Sequence, residues 1–417
     1  MLKEHNKVSN SLNFYGNTTP SELVKTYGST VYVYNEKVLR ERCRELKNLV
    51  SYKNFAVNYS VKANSNPEIL KIACEEGLYA DAMSPGEIYV NLKAGFDPKK
   101  ILYISNNVSK EEMQYAIDHG VLTSVDSISQ LEQYGELNPG GRVCIRFNPG
   151  VGAGHHEKVV TGGKKTKFGV DPHLVPEVKD ILNKYDLKLA GINQHIGSLF
   201  MDGSKYVEGV QSVLSIAENF DDLEFIDLGG GFGIPYNKLS GQPRLDLKEL
   251  GQQLDEVINN WVSKYGKEIQ FKIEPGRYIV GECGILLGTV HTVKYNYDNK
   301  YIGTDLGFNV LIRPAMYESH HDIEVYRESD KPSTQYEFVT VVGNICESGD
   351  IIAKERELPE IFEGDILGVL DAGAYGYCMA SNYNNRLRPA EVLIQEDGSH
   401  RLIRRRDTLE DLVRNFV

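Results

Sequence analysis

Eight short apolar runs, each followed by a helix-length amphipathic stretch, recur from residue 54 to residue 274, and no other feature constrains the fold as tightly. The runs lie at 54–62, 79–83, 101–104, 121–125, 142–147, 187–195, 223–228 and 269–274 and are rich in β-branched and aromatic residues. Strand–helix alternation implies parallel strands joined by right-handed crossovers. Eight such units in roughly 250 residues is the number that closes a TIM-type (β/α)8 barrel. A doubly wound open sheet is the structural rival. The helical stretches carry legible boundaries. Ser109-Lys110-Glu111-Glu112 reads as a capping box, and Gly120 stands where that helix needs a left-handed residue. Pro67 and Gly77 bracket one helix, Pro85 and Gly95 the next.

After residue 285 the texture changes. Leu286–Val293, Tyr336–Val342, Asp365–Leu370 and Glu391–Gln395 are strand-length runs between Gly, Asn, Asp and Pro turns. The expected organisation is therefore an α/β chain in two parts. Residues 31–285 form the barrel, and 1–30 with 286–417 form a second, mostly β domain.

Composition narrows the function classes. Hydrophobic residues are 41% and charged residues 25% of the 417, which suits a globular chain and excludes a disordered one. A net charge of −12 argues against a nucleic-acid or acidic-membrane binder, and Arg404-Arg405-Arg406 reads as a solvated patch. The six cysteines (Cys43, Cys74, Cys144, Cys283, Cys346, Cys378) show no CxxC or Cys/His spacing, so they read as reduced thiols. Residues 1–7 lack the apolar core of a signal peptide, and no apolar run approaches the ~20 residues of a membrane helix. The expectation is a cytoplasmic protein.

The first run reads Phe55-Ala56-Val57-Asn58-Tyr59-Ser60-Val61-Lys62. Alternation puts Phe55, Val57, Tyr59 and Val61 on the helix-facing side and Ala56, Asn58, Ser60 and Lys62 on the interior side. A lysine pointing inward at the C-terminal end of a barrel strand is costly to desolvate without a task or a partner. Partly desolvated, it can form a Schiff base; alternatively it snorkels to the barrel mouth. Other strands end in polar clusters too: Arg146, then Asn193-Gln194-His195-Ile196-Gly197-Ser198, then Asp227-Leu228-Gly229-Gly230-Gly231-Phe232-Gly233, then Glu274-Pro275-Gly276-Arg277. Active sites of this architecture lie at that face, with phosphate held by the loops after strands seven and eight. A glycine run admits an anion close to backbone N–H groups, and Pro275-Gly276 is expected to open the last barrel helix, whose dipole favours that anion. Taken singly, the glycines could be a tight turn and His195 a structural histidine.

Val61-Lys62-Ala63-Asn64, His195-Ile196-Gly197-Ser198, Gly229-Gly230-Gly231-Phe232-Gly233 and Glu274-Pro275-Gly276-Arg277, in this order, resemble the fold-type III pyridoxal-phosphate (PLP) decarboxylases. That family includes diaminopimelate, ornithine and arginine decarboxylases and shares its barrel with alanine racemase. The resemblance runs from about Thr30 to the C-terminus. It implies that PLP forms a Schiff base with Lys62, that His195 stacks on the pyridine ring and that Glu274 pairs with the ring nitrogen. A carboxylate there keeps the nitrogen protonated, so the ring can accept the electron pair left by CO2. Ser198, Gly229, Gly230, Gly231 and Gly276, with Pro275, Arg277 and Arg146 nearby, are implied to hold the cofactor. Asp81 and Ser84 would lie beside it near Lys62.

Arg313-Pro314-Ala315-Met316-Tyr317, Cys346-Glu347-Ser348-Gly349-Asp350 and Gly373-Ala374-Tyr375-Gly376-Tyr377 resemble the diaminopimelate branch of that family. A substrate with two amino-acid heads needs a second carboxylate and a second ammonium recognised. Arg277 and Arg313 offer planar, bidentate carboxylate binding. Tyr317 adds a hydroxyl, and Glu347 can take the far ammonium. The resemblance further implies that Cys346 reprotonates the carbanion, that Tyr375 touches phosphate and substrate, and that the chain works as a homodimer, the Cys346–Glu347 loop reaching into the partner's site. The implied product is L-lysine. Against these roles stand a buried structural thiol for Cys346 and a surface salt bridge for Arg313.

Asn344 stands where the family commonly has proline, Ser60 where it has alanine, and Thr304-Asp305-Leu306-Gly307 differs from the usual small-residue stretch. These departures keep open a sibling decarboxylase acting on another basic, D- or carboxylated polyamine amino acid. A catalytically silent member would have lost a core residue, and an alanine racemase would lack the Cys346-Glu347 motif. His155-His156 and His320-His321 invite a metal reading, but adjacent histidines cannot easily share one ion, and no metal is expected. The segment 152–167 could be a lid or a passive loop.

Overall fold

The polar side chains of the first run lie on one face of its strand. Asn58 donates to the Asp227 carboxylate at 3.3 Å and Ser60 Oγ to Asp81 at 2.5 Å, so the polar members of that strand do face inward. The computed structural model describes residues 7–152, 162–163, 166–327 and 335–417. Its barrel strands are Phe55–Ser60, Tyr79–Ala82, Ile101–Ile104, Leu122–Val125, Arg142–Arg146, Lys188–Asn193, Phe225–Asp227 and Gln270–Ile273. All neighbours pair in parallel, and the first strand closes on the eighth through Phe55↔Phe271, Ala56↔Lys272 and Val57↔Ile273. Closure excludes the open doubly wound sheet.

The crossover helices start and stop where their signals stand. Pro67 and Pro85 occupy the first turns of Pro67–Glu75 and Pro85–Ala94. Ser109 and Glu112 complete a reciprocal capping box on Lys110–Asp118, and Gly120 follows with φ +70°. Two local expectations fail. The first strand ends at Ser60, and Lys62 sits in a tight turn, Val61–Ala63, rather than on the strand. The cause is Asp81, which accepts both the Ser60 hydroxyl and the Val61 N–H (3.1 Å) and bends the chain off the ladder. Likewise the helix expected after Pro275-Gly276 is the single turn Arg277–Val280. It is too short to build the dipole of a full helix.

The second unit comprises 1–41, 235–243 and 280–417; the barrel unit takes 42–234 and 244–279. Val31–Asn35, assigned to the barrel by the expected boundary at residue 31, pairs antiparallel with Gly284–Asn296 and parallel with Ala390–Ile394. Tyr336–Val342, Ile366–Val369 and Ala390–Ile394 form where strand-length runs stand in the sequence. Phe14, Leu23, Val31, Val33, Ile285, Leu287, Val392 and Ile394 pack into one core of this unit. No helix among the described residues is long and apolar enough to cross a membrane.

Candidate active site

At the C-terminal rim of the barrel, Asp81 is fully buried and spends its carboxylate on the turn that carries Lys62. The Lys62 charge in turn acts on Asp81, Glu87, His195 and Glu274, which places the amine amid the cluster that the sequence marks. Glu274 ends the eighth strand, 5% exposed, and its Oε1 has no hydrogen-bond partner among the described residues. Burial holds its carboxyl well above the usual range; the Asp227 and Asp81 charges push the same way, and Lys62 opposes them. Asp227 accepts the Gly229 N–H at 2.9 Å, and burial raises its carboxyl as well. Arg146 ends the fifth strand with its guanidinium 4.6 Å from the Phe168 ring centre, and Nη2 is buried without a hydrogen bond among the described residues.

His195 accepts the Gly230 N–H through Nδ1 at 3.1 Å. Desolvation, with Lys62 and Arg146 nearby, holds its pKa well below the usual value. The ring is therefore neutral, with its proton on Nε2. This bond also engages part of the glycine run. The Gly229 amide serves Asp227 and the Gly230 amide serves His195, which leaves Gly231 as the run's uncommitted amide among the described residues. Close packing also holds the run to glycine. A Cβ on Gly230 would lie 1.9 Å from the Glu274 carbonyl oxygen, and Gly231 has φ +107°. Arg277 donates to Ser198 Oγ at 3.1 Å, joining the residues after strands six and eight. Ser84 caps Pro85–Ala94 by accepting the Glu87 N–H at 3.2 Å, a structural task distinct from the expected cofactor contact. Asn58 and Asp227, polar residues inside apolar runs, were the legible signal of a network whose roles sequence reasoning did not assign.

In the second unit Arg313 opens the turn Arg313–Tyr317 and is 1% exposed. His321 donates through Nδ1 to the Leu370 carbonyl (2.7 Å), so its Nε2 accepts from Arg313 Nη1 at 2.6 Å. The guanidinium also lies 4.4 Å from the Tyr236 ring centre. A surface salt bridge is thereby excluded for Arg313. Tyr317 is half-buried at the end of the same turn. Cys346 is exposed, which excludes a buried structural thiol; beside it Glu347 accepts from the Tyr383 hydroxyl. Tyr375 holds a left-handed φ of +56°, uncommon for an aromatic residue. His320 bonds Asp322 at 3.0 Å, and no group among the described residues could hold a metal ion. His155 and His156, with most of 152–167, lie outside the described residues.

A lysine beside a buried carboxyl with an open oxygen, a neutral imidazole and an uncommitted glycine amide suit a planar heterocycle with an aldehyde, a basic ring nitrogen and an anionic arm. They are the fittings of a pyridoxal-phosphate enzyme. Residues 36–281 match the family model described as pyridoxal-dependent decarboxylase, pyridoxal binding domain. The chain belongs to the pyridoxal-dependent decarboxylases. It is 45% identical over 409 residues to the diaminopimelate decarboxylase of Methanothermobacter thermautotrophicus, spanning 96% of this chain and 94% of that one. With the Escherichia coli K12 diaminopimelate decarboxylase it shares 34% over 93% of each chain. The crystal structure of the Helicobacter pylori diaminopimelate decarboxylase complexed with L-lysine superposes with a TM-score of 0.87 at 31% identity, covering 95% of this chain and 98% of that one.

Proposed function

We propose that the chain decarboxylates meso-2,6-diaminopimelate to L-lysine and CO2, the last step of lysine biosynthesis. The observation that carries this reading is the 45% identity, over nearly the full length, with a diaminopimelate decarboxylase. Because the product is L-lysine, the carboxyl lost is that of the D-centre, and the L-head must be recognised intact.

Bound pyridoxal phosphate supplies a sink for the electron pair that CO2 leaves behind. Lys62 would anchor its aldehyde carbon, held in place by the Asp81-pinned turn. Glu274, whose buried carboxylate is favoured only beside a cation, would keep the ring nitrogen protonated. Neutral His195 would lie against the ring face without adding a competing charge. Ser198, Gly231, Gly276 and Arg277 would hold the phosphate, with Tyr375 contributing. Arg313, locked by His321 and Tyr236, would grip the distal carboxylate bidentately, with Tyr317 adding a hydroxyl. Glu347 would take the distal ammonium, and Cys346 would return a proton to the carbon that lost CO2. The chain would act in the cytoplasm as a homodimer whose Cys346–Glu347 loop completes the partner's site.

The test supplies purified protein and PLP with meso-diaminopimelate, its other stereoisomers, ornithine and arginine. CO2 and lysine from the meso isomer are expected. Ready turnover of ornithine or arginine with none of diaminopimelate would refute the reading.

A further inference from the structure

Cys346 stands on an exposed loop, where a thiol ordinarily rotates among its rotamers. Here the loop is fastened from two sides. From within, Asp350 accepts the Phe308 N–H at 2.6 Å and the Ile345 N–H at 2.7 Å. From outside comes a turn that the motifs did not single out, Tyr383–Asn385. Asn384 adopts φ +55°, a left-handed conformation that asparagine tolerates better than most residues. Its Oδ1 accepts the Cys346 N–H at 3.2 Å, and its Nδ2 donates to Cys346 Sγ at 3.3 Å. Its neighbour Tyr383 stacks on Phe308, with ring centres 5.8 Å apart, and donates to Glu347.

One carboxamide thus holds both the backbone and the sulfur of a single cysteine. Neither alanine nor ionised aspartate can do so, since the first has no polar atom and the second no donor. We propose that Asn384 is a positioning residue for Cys346, orienting its thiol for the proton transfer that completes the reaction. The inference rests on the reading of Cys346 as the acid. In that step the S–H bond breaks, a C–H bond forms at the carbon that lost CO2, and sulfur keeps the electron pair until solvent returns a proton. With Nδ2 engaged on one side of the sulfur, the S–H is left to other directions, and the rotamer search before each transfer is shortened.

The test compares Asn384→Ala and Asn384→Asp with the wild-type holoenzyme. A positioned acid contributes ~10²–10⁴ in rate, and losing its orientation should lower kcat about tenfold while KM and PLP affinity stay near wild type. A second readout is independent of turnover: the rate of Cys346 alkylation by iodoacetamide as a function of pH, followed by peptide mass spectrometry. Both variants should shift that profile, because both lose the donor on sulfur; Asn384→Asp retains the acceptor for the Cys346 N–H and guards against a folding defect in the alanine variant. Cys346→Ala, run alongside, separates the two ways of failing. Full turnover by Cys346→Ala would overturn the acid reading and the clamp's purpose with it. An impaired Cys346→Ala beside Asn384 variants with wild-type kcat and alkylation profile would overturn the clamp alone.

Discussion

Glu87, in the first turn of the helix that follows the Asp81 strand, shows at the residue scale how the rim of the barrel is charged. Burial and the Asp81 charge raise its carboxyl from the ordinary 4.5 to about 7. A carboxyl raised on folding binds its proton more tightly in the native state. Its contribution to stability is therefore full below pH 4.5 and is lost as pH climbs through 7. Glu87→Gln keeps an oxygen for the Met83 N–H, now accepted at 2.7 Å, and removes the titration. The variant should be the more stable protein above pH 7, by on the order of 3 kcal/mol, with little change near pH 4. Chemical denaturation of the cofactor-free protein across that range would measure it. A pH dependence identical to wild type would show that Glu87 stays ionised. The same scale separates what motif residues imply from what they do. Lys62, His195 and Glu274 act on one another electrostatically, and Ser84 caps a helix.

Among the elements, the turn Val61–Ala63 and the run Gly229-Gly230-Gly231 carry the chemistry, and each departs from its local pattern. Period-two alternation correctly faced Asn58 and Ser60 inward but could not foresee the break at Val61. That break comes from a carboxylate 20 residues further on, a tertiary contact invisible to a local window. The glycines were legible as a run, but two of their amides are claimed, one by Asp227 at the end of their own strand and one by His195 beyond the neighbouring strand. Close packing demands Gly230. Gly230→Ala would press a Cβ against the Glu274 carbonyl, which as backbone cannot swing aside. A cost of about 1–3 kcal/mol is expected, with weaker PLP binding as Glu274 shifts. Thermal unfolding and a cofactor titration check it, and wild-type values in both would mean the strand end yields.

For the whole molecule, the proposed function shares each site between two chains. If the Cys346–Glu347 loop serves the partner's Lys62, then Lys62→Ala and Cys346→Ala chains, each inactive alone, should regain activity when mixed, because a hybrid dimer contains one intact site. Tagged co-purification would verify the hybrids, and verified hybrids without activity would confine each site to one chain.

The sequence by itself determined the eight strand–helix units, most helix boundaries, the strand-rich second part and the ordered motifs, because each is written in short-range periodicity, capping and turn chemistry. It placed Val31–Asn35 in the barrel, whereas that apolar run joins the second sheet through partners some 250 and 360 residues away. It could not show that Asp81 bends the Lys62 turn, that Arg313 leans on His321, or that Asn384 holds Cys346. Those bonds link residues through space, and only the closing of the chain on itself brings donor within reach of acceptor.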